Sequence, residues 1–513
     1  MKSLPVGIQT LPEIINGGYI YVDKTEYIHK LFRGKYYFLS RPRRFGKSLL
    51  VSTLKEIFSG NKELFKRLYI YDKITWEKHP VIHIDFSILD YRNASLYEAL
   101  NNYLDKIAKE NKISKVKLKG LSLKDKFVEL IQSLSKTNQV VVLIDEYDKP
   151  IIDYIDDIKQ AEENRLVLKN FYSVIKPLDA YLKFVFITGV SKFSHVSVFS
   201  DLNNLLDITF HVDYACMLGY TQEEMEYSFK DYLPLIEKKG FSRNQLLSEI
   251  KKWYNGYSWD GENFVYNPFS VLNFLSNRDF GDYWFRSGTP SFLIKLLKKN
   301  SYSVSSLSQL IINKNLVDRY EINNIDITVL LLQTGYLTIK HKNILNQNIT
   351  LDFPNFEVEN SFYNYLFADY IEKNYTENFS IISLLQNSLE NNNLNDFIAS
   401  LTSIFSNITY HQVRADEAYF HTVFFLIIKM LGFNIECEVL TNIGRIDAVI
   451  KTKTTIYIIE FKLSDAETAL QQIKDKKYHE KYLENKKQII LLGIGFNKNK
   501  RNIEDWKVEI LNS

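Results

Sequence analysis

The chain has 513 residues, 45% apolar, 24% charged and 14% aromatic, a balance that excludes disorder and leaves room for two large or roughly three to four smaller domains. Its 64 Lys plus Arg nearly cancel 61 Asp plus Glu, so no whole-molecule field attracts a polyanion, and any nucleic-acid affinity must come from local patches. The only cysteines, Cys216 and Cys437, are far apart in sequence, which excludes a disulfide framework and a cysteine zinc site.

The opening stretch MKSLPVGIQTLPEIINGGY lacks the apolar core of a signal peptide. The apolar run from Thr422 to Phe433 contains Lys429 and falls short of the roughly 20 residues a membrane span needs. A cytoplasmic protein without a membrane partner is expected.

Tyr36 to Leu39 reads as a short strand, and LLVSTLKEIF after it has helical spacing. Between them lies SRPRRFGKS, Ser40 to Ser48, which matches G-x-x-x-x-G-K-[ST] except that Arg41 stands where the first glycine would be. A glycine there permits unusual dihedrals and a close backbone approach. Either Pro42 sets a different opening while Arg41, Arg43 or Arg44 donates to phosphate oxygens, or nucleotide binds weakly or not at all. The plain alternative is a basic surface turn.

Further apolar runs at 81–86, 140–145 and 184–190 alternate with helix-like stretches at 93–112 and 160–176, which predicts a parallel sheet with crossover helices. His83 is read as a packed strand residue and Asp85 as facing the nucleotide. VVVLIDEYD places Asp145 and Glu146 at the carboxyl edge of this sheet, where ligands bind. In phosphoryl-transfer chemistry Lys47 would bridge the β- and γ-phosphates of ATP, Ser48 and Asp145 would hold Mg2+, Glu146 would orient the attacking water, and Thr188 would sense the γ-phosphate. Arg43, Arg44, Phe45, Gly46 and Leu49 complete the expected cofactor-binding set.

The blocks YVDKTEYIHKLFRGKYYFLSRPRRFGKSLLVSTLKEIF, VIHIDFS, VVVLIDEYDKPI and FITGVSKFS, in that order, resemble the bacterial AAA-ATPase-like family over roughly the first 210 residues. In that family RPRRFGKS also stands where the loop would begin with glycine. The resemblance therefore implies a true phosphate loop.

From about 210 the pattern changes to helices broken by aromatic turns, WYNGYSWDG at 253–261 and YWFRSGTPSF at 283–292, predicting an all-helical accessory region whose aromatics pack between helices. ENNNLND at 390–396 reads as a loop or linker. The last region, from about 400, has the order helix, strand, strand, strand, helix, strand. The expected domains are 1–210, a P-loop parallel-sheet domain; 211–375, a helical lid-like region; and 376–513, a carboxyl-terminal α/β domain with a preceding helical linker.

GRIDAVIKTKTTIYIIEFK, Gly444 to Lys462, predicts a hairpin of strands 446–450 and 455–462. Side chains alternate across a strand, so Glu460 and Lys462 share a face. A turn centred between Thr452 and Lys453 would pair Asp447 with Ile458 and bring Asp447 to that face as well. Three polar groups on an otherwise apolar hairpin cost desolvation energy unless a metal or substrate compensates. Two carboxylates can hold Mg2+ while lysine positions or deprotonates the nucleophile, a set suited to phosphodiester hydrolysis. A solvated edge hairpin is the bland alternative. Glu417, on an upstream helix, is placed to complete the metal shell, and Gln472 to contact the scissile strand.

The string Glu417, GRID, EFK, QI and Tyr478 resembles the PD-(D/E)xK nuclease superfamily over about the last hundred residues, with Ile446-Asp447 in place of Pro-Asp. This implies a restriction-endonuclease-like fold in which Asp447, Glu460 and Lys462 carry cleavage and Glu417 and Gln472 support it. Nine Lys or Arg between Lys474 and Arg501 face only Asp475, Glu480 and Glu484, with Tyr478 and Tyr482 interleaved, which suits phosphate binding or a plain solvated helix face. The combined expectation is an ATP-regulated, Mg2+-dependent nuclease acting on DNA, in defence against or maintenance of mobile DNA. Its rivals are a nucleotide-dependent switch that binds nucleic acid or protein without cutting, and an ATPase acting on proteins. A homo-oligomer is compatible with the sequence.

Overall fold

The computed structural model describes residues 1–114, 118–192, 198–199, 201–286, 307–317, 326–343, 345–371, 375–406 and 417–511. They divide into two compact units, one of residues before Glu359 and one from Glu359 onward together with 307–308.

The first unit is built on strands β1 (Tyr36–Ser40), β2 (Val81–Asp85), β3 (Val140–Asp145), β4 (Leu182–Gly189) and β5 (Leu206–Asp207), all parallel in the order β2-β3-β4-β1-β5. Every residue of β1 and β3 is buried, as a parallel sheet covered on both faces requires, so these strands read as continuous apolar runs. The crossover helices include Lys47–Phe58, Leu96–Glu110, Leu123–Leu134 and Ile158–Tyr172. Ser95 and Glu98 form a capping box that fixes where the second begins. Because β4 lies between β1 and β3, the loop after β1 and the acids after β3 flank the end of β4.

The middle of the chain is helical over Gln222–Ser228, Arg243–Tyr254, Pro268–Asn277 and Ile327–Thr334. The all-helical expectation is corrected by a three-stranded antiparallel sheet of β6 (Leu310–Asn313), β7 (Thr338–Lys342) and β8 (Asn348–Asp352), in the order β6-β8-β7. Its signal is the alternation in NITLD, where Ile349 and Leu351 point inward. Tyr254, Tyr257 and Trp259 are buried, as packing aromatics should be. Of the second aromatic turn, 287–292 lie outside the described residues.

The second unit holds strands β9 (Asn434–Leu440), β10 (Arg445–Lys451), β11 (Thr455–Lys462), β12 (Gln488–Asn497) and β13 (Asn502–Leu511), side by side in the order β13-β12-β11-β10-β9. Only β11 and β12 run parallel, joined by the Ala466–Asp475 helix. That helix lies directly on the sheet because β12 has glycines beneath it. A Cβ on Gly493 would stand 2.4 Å from the Ala466 carbonyl and one on Gly495 2.0 Å from Asp505. Gly493→Val is expected to lift the helix and lower the unit's melting temperature, as overpacking against rigid backbone costs roughly 1–3 kcal/mol or more; calorimetry checks this. Among the described residues no helix is long and apolar enough to cross a membrane.

Candidate functional site

In the first unit, the chain leaves β1 and turns through Ser40–Gly46 into the Lys47–Phe58 helix. Gly46 caps that helix at φ +91° and Arg44 sits at φ +65°, so the loop takes left-handed conformations despite lacking its first glycine. A cavity of about 520 Å3 opens over it, lined at its polar end by Arg43, Arg44, Gly46, Lys47, Ser48, Leu49, Asp85 and Glu146. Lys47 is buried, and its Nζ donates to the carbonyls of Arg41 and Pro42 at 2.9 Å each. Burial lowers its pKa, while Asp145, Glu146 and Asp148 oppose that shift.

Arg41 does not face the cavity. Its guanidinium turns into the protein, donating to the carbonyls of Ser40, Thr209 and Tyr214 at 2.9, 2.6 and 3.3 Å, and lies 4.0 Å over the Trp259 ring. Burial draws its pKa down to about 9, still charged at neutral pH. Of the three arginines offered as phosphate donors, Arg41 is thereby removed. Arg43 and Arg44 remain at the cavity, Arg44 stacked 4.0 Å over Phe269 and the Arg43 carbonyl accepting from Trp284 Nε1 at 3.0 Å.

Two further expectations are corrected in the same way. Phe45 is buried edge-on against Tyr257 and Trp259 and is absent from the cavity lining. Thr188 is fully buried, with its hydroxyl donated to the Leu39 carbonyl at 2.8 Å, which leaves it no access to a phosphate. Asp145 is reached by the Ser48 hydroxyl, and burial raises its pKa. Glu146, at φ +52°, lines the cavity with its pKa raised by burial and then by Asp145. Sequence reasoning missed Asp148, whose buried carboxylate accepts from Val190 N and from the amide and hydroxyl of Ser191, tying the stretch after β3 to the end of β4. Its spacing in DEYD was the available signal.

The second constellation lies on β10 and β11. The observed register pairs Ala448 with Ile459 and Lys451 with Ile456, so the turn is centred between Lys453 and Thr454 and not one bond earlier. The pairing therefore shifts by two residues, which keeps Asp447 on the face of Glu460 and sets the two acids opposite one another. Asp447 Oδ2 accepts from Phe461 N at 2.9 Å. Glu460 is fully buried, and its Oε2 accepts from Gln472 Nε2 at 2.9 Å. Its Oε1 is buried with no hydrogen-bond partner among the described residues.

Burial first, and the facing Asp447 second, hold the Glu460 carboxyl well above the usual carboxylate range, with Lys462 opposing. A buried carboxylate facing a part-buried one is relieved by a shared proton or a cation. The orphaned Oε1 thus fits a divalent ion between Glu460 and Asp447. His421, which sequence reasoning missed, brings Nε2 within 3.7 Å of Asp447 Oδ2. Its signal was the spacing of four from Glu417 on the Glu417–Met430 helix. Glu417 begins that helix, and its side chain lies outside the described residues. Among the described residues no three His, Cys, Asp or Glu cluster to hold a metal ion.

A pH dependence follows. The folded chain keeps a proton on Glu460 above about pH 4.5, where the unfolded chain releases it, so metal-free stability falls as pH rises through that range. A Mg2+ ion bound between the two carboxylates would take the place of the proton, and its stabilising effect is expected to grow from about pH 5 to about pH 8. Calorimetry with and without Mg2+ checks this; a Mg2+ shift that is the same at every pH, or that survives in Glu460→Gln, contradicts it.

The basic segment differs from its expected form. Tyr478 and Tyr482 are buried, with the Tyr478 hydroxyl donating to the Arg445 carbonyl at 2.8 Å, so neither offers a stacking face. Lys474 pairs with Glu509, Lys477 with Glu480 and Lys500 with Glu504.

A family model described as "Predicted AAA-ATPase" matches residues 5–199, and one described as "PD-(D/E)XK nuclease superfamily" matches residues 415–506. Over 533 aligned residues, covering 99% of both chains, the sequence is 38% identical to an uncharacterized protein in the vnfD 5'region of Azotobacter chroococcum mcd 1.

Proposed function

Since the chain belongs to the AAA-ATPase-like family that carries a PD-(D/E)XK nuclease superfamily domain at its carboxyl end, we propose that it binds and hydrolyses ATP and cleaves nucleic acid, DNA foremost, under nucleotide control. The observation that carries the nuclease half is the facing pair of Asp447 and Glu460, with the bare Oε1 of Glu460 beside Lys462 and Gln472. A Mg2+ held there by the two carboxylates would supply an activated water and charge stabilisation at a phosphodiester. Lys462 shares the face of Glu460 and positions the attacking water or the scissile phosphate. Gln472 fixes the Glu460 carboxylate in its orientation. Glu417 is proposed to complete the ion's shell, and His421 to restrain Asp447.

In the first unit Lys47, Ser48, Arg43 and Arg44 bind phosphates, with Asp145 holding Mg2+ through its contact with Ser48. Glu146 orients water in the same cavity. Glu146→Gln is expected to keep ATP binding and to slow hydrolysis by on the order of 10²-fold or more, read by filter binding and phosphate release. The arrangement of an ATPase fused to a nuclease suits defence against, or maintenance of, mobile DNA.

The test is incubation of mixed DNA and RNA substrates with Mg2+, with and without ATP. Cleavage that needs Mg2+ and changes with ATP supports the proposal. A second reading, a nucleotide-dependent switch that binds nucleic acid without cutting, draws on the raised pKa of Glu460, which lets a proton stand between the two acids in place of an ion. Lys462→Ala separates them, since loss of cleavage with binding retained belongs only to the nuclease.

A further inference from the structure

The β9–β10 turn, Thr441–Gly444, is held firmly although it is only a surface loop. Thr441 N and Oγ1 both donate to the Gly444 carbonyl, at 2.8 and 2.9 Å. Lys481 Nζ donates to the Leu440 carbonyl at 3.1 Å, and the Tyr478 hydroxyl holds Arg445 next to the tip. Yet this braced tip shows apolar side chains to solvent: Leu440 is 76% and Ile443 51% exposed, and Leu483, two residues from the bracing Lys481, is 59% exposed. A single exposed Leu needs no reason, but an apolar group on a rigid hairpin tip beside a reaction centre does.

The topology fixes where this tip lies. β10 runs antiparallel to β11, so its beginning and the end of β11 share one end of the sheet. That end carries Asp447 and Lys462, and Lys462 pairs with Gly495 just before the β12–β13 turn that holds Lys498. From Gly444 to Asp447 is roughly 10 Å along the strand, about three nucleotide steps. Lys476, whose Nζ lies 3.0 Å from where a Gly444 Cβ would stand, and Lys481 flank the tip. Lys476, Lys481 and Lys498 make no ion pair with a carboxylate among the described residues, unlike Lys474, Lys477 and Lys500, while Lys462 stands beside Glu460. An apolar point between unneutralised cations complements a stacked polyanion whose bases are apolar on their faces.

We propose that the hairpin tip at Leu440 and Ile443 is a wedge that enters between base pairs of a duplex, unstacking the step about three nucleotides from the cut while the lysines hold the backbone. This rests on the nuclease reading above and adds to it a preference for ends and other easily opened steps. A second copy of the chain or another protein would match the apolar groups but not the flanking lysines.

The test uses the full-length chain carrying Asp447→Ala, which binds without cutting, and a DNA duplex with 2-aminopurine near one end. Binding is followed by anisotropy and unstacking by 2-aminopurine fluorescence. The fluorescence is expected to rise severalfold on binding, to lose that rise with Ile443→Ser, and to keep it with Ile443→Leu. Binding without a rise, or a rise untouched by Ile443→Ser, overturns the wedge and leaves the nuclease reading standing. No binding to any duplex overturns both. A change of mass in light scattering for Ile443→Ser with unstacking intact assigns the tip to a second copy and overturns the wedge.

Discussion

With Asp447 replaced by alanine, Mg2+-dependent cleavage is expected to fall by on the order of 10³-fold or more, because one carboxylate of a two-carboxylate ion site is worth several kcal/mol at the transition state. The fold should survive the change. Glu460 loses the facing charge that, after burial, does most to raise its pKa, and this relief offsets the loss of the Phe461 N acceptor, which costs about 1–3 kcal/mol. Asp447→Asn keeps that acceptor and so separates folding from chemistry: it should melt at least as high as the wild type and remain inactive. A nicking assay on plasmid with Mg2+, paired with a thermal melt, decides. Cleavage unchanged in a folded Asp447→Asn protein removes the pair from the chemistry.

The face shared by Asp447 and Glu460 was legible from sequence because it depends only on period two. A turn placed one bond away shifts the pairing by two residues and leaves every side chain on its side. The strands of the first sheet were legible for a similar reason, since β1 and β3 are buried on both faces and need unbroken apolar runs. Direction was not legible where it depends on distant partners. Arg41 is answered by Thr209 and Tyr214, 168 and 173 residues away, and by Trp259, and nothing local to RPRRFGKS announces them. Thr188 reads as the end of a catalytic strand, yet its hydroxyl belongs to the neighbouring β1. Tyr478 and Tyr482 stand among lysines in the sequence, yet they fill the core under β11 and β12, and nothing local to the segment announces it. The small middle sheet is not legible in the sequence, because three short strands among helices give a weak alternation.

Restoring the missing glycine is expected to damage the phosphate loop. Arg41→Gly completes G-x-x-x-x-G-K-S in letters, yet it removes a buried guanidinium that three carbonyls and the Trp259 ring enclose. The carbonyls of Thr209 and Tyr214 then lose a buried donor and a cavity opens beside the loop, which together cost roughly 3–5 kcal/mol. The glycine adds about 0.5–1 kcal/mol of backbone entropy to the cost of folding. The opening of the loop is also untethered from the stretch after β5, while Lys47 still draws on the Arg41 and Pro42 carbonyls for its position. Melting is expected to fall by on the order of 10 °C, and ATP hydrolysis to fall with it. Arg41→Lys should rescue little, because an ammonium cannot span the separate carbonyls and lie flat on an indole at once. A thermal melt and a phosphate-release assay on both variants check this. An Arg41→Gly protein that melts with the wild type and hydrolyses ATP faster would mean that the loop is held by its own backbone and that the buried arginine is dispensable.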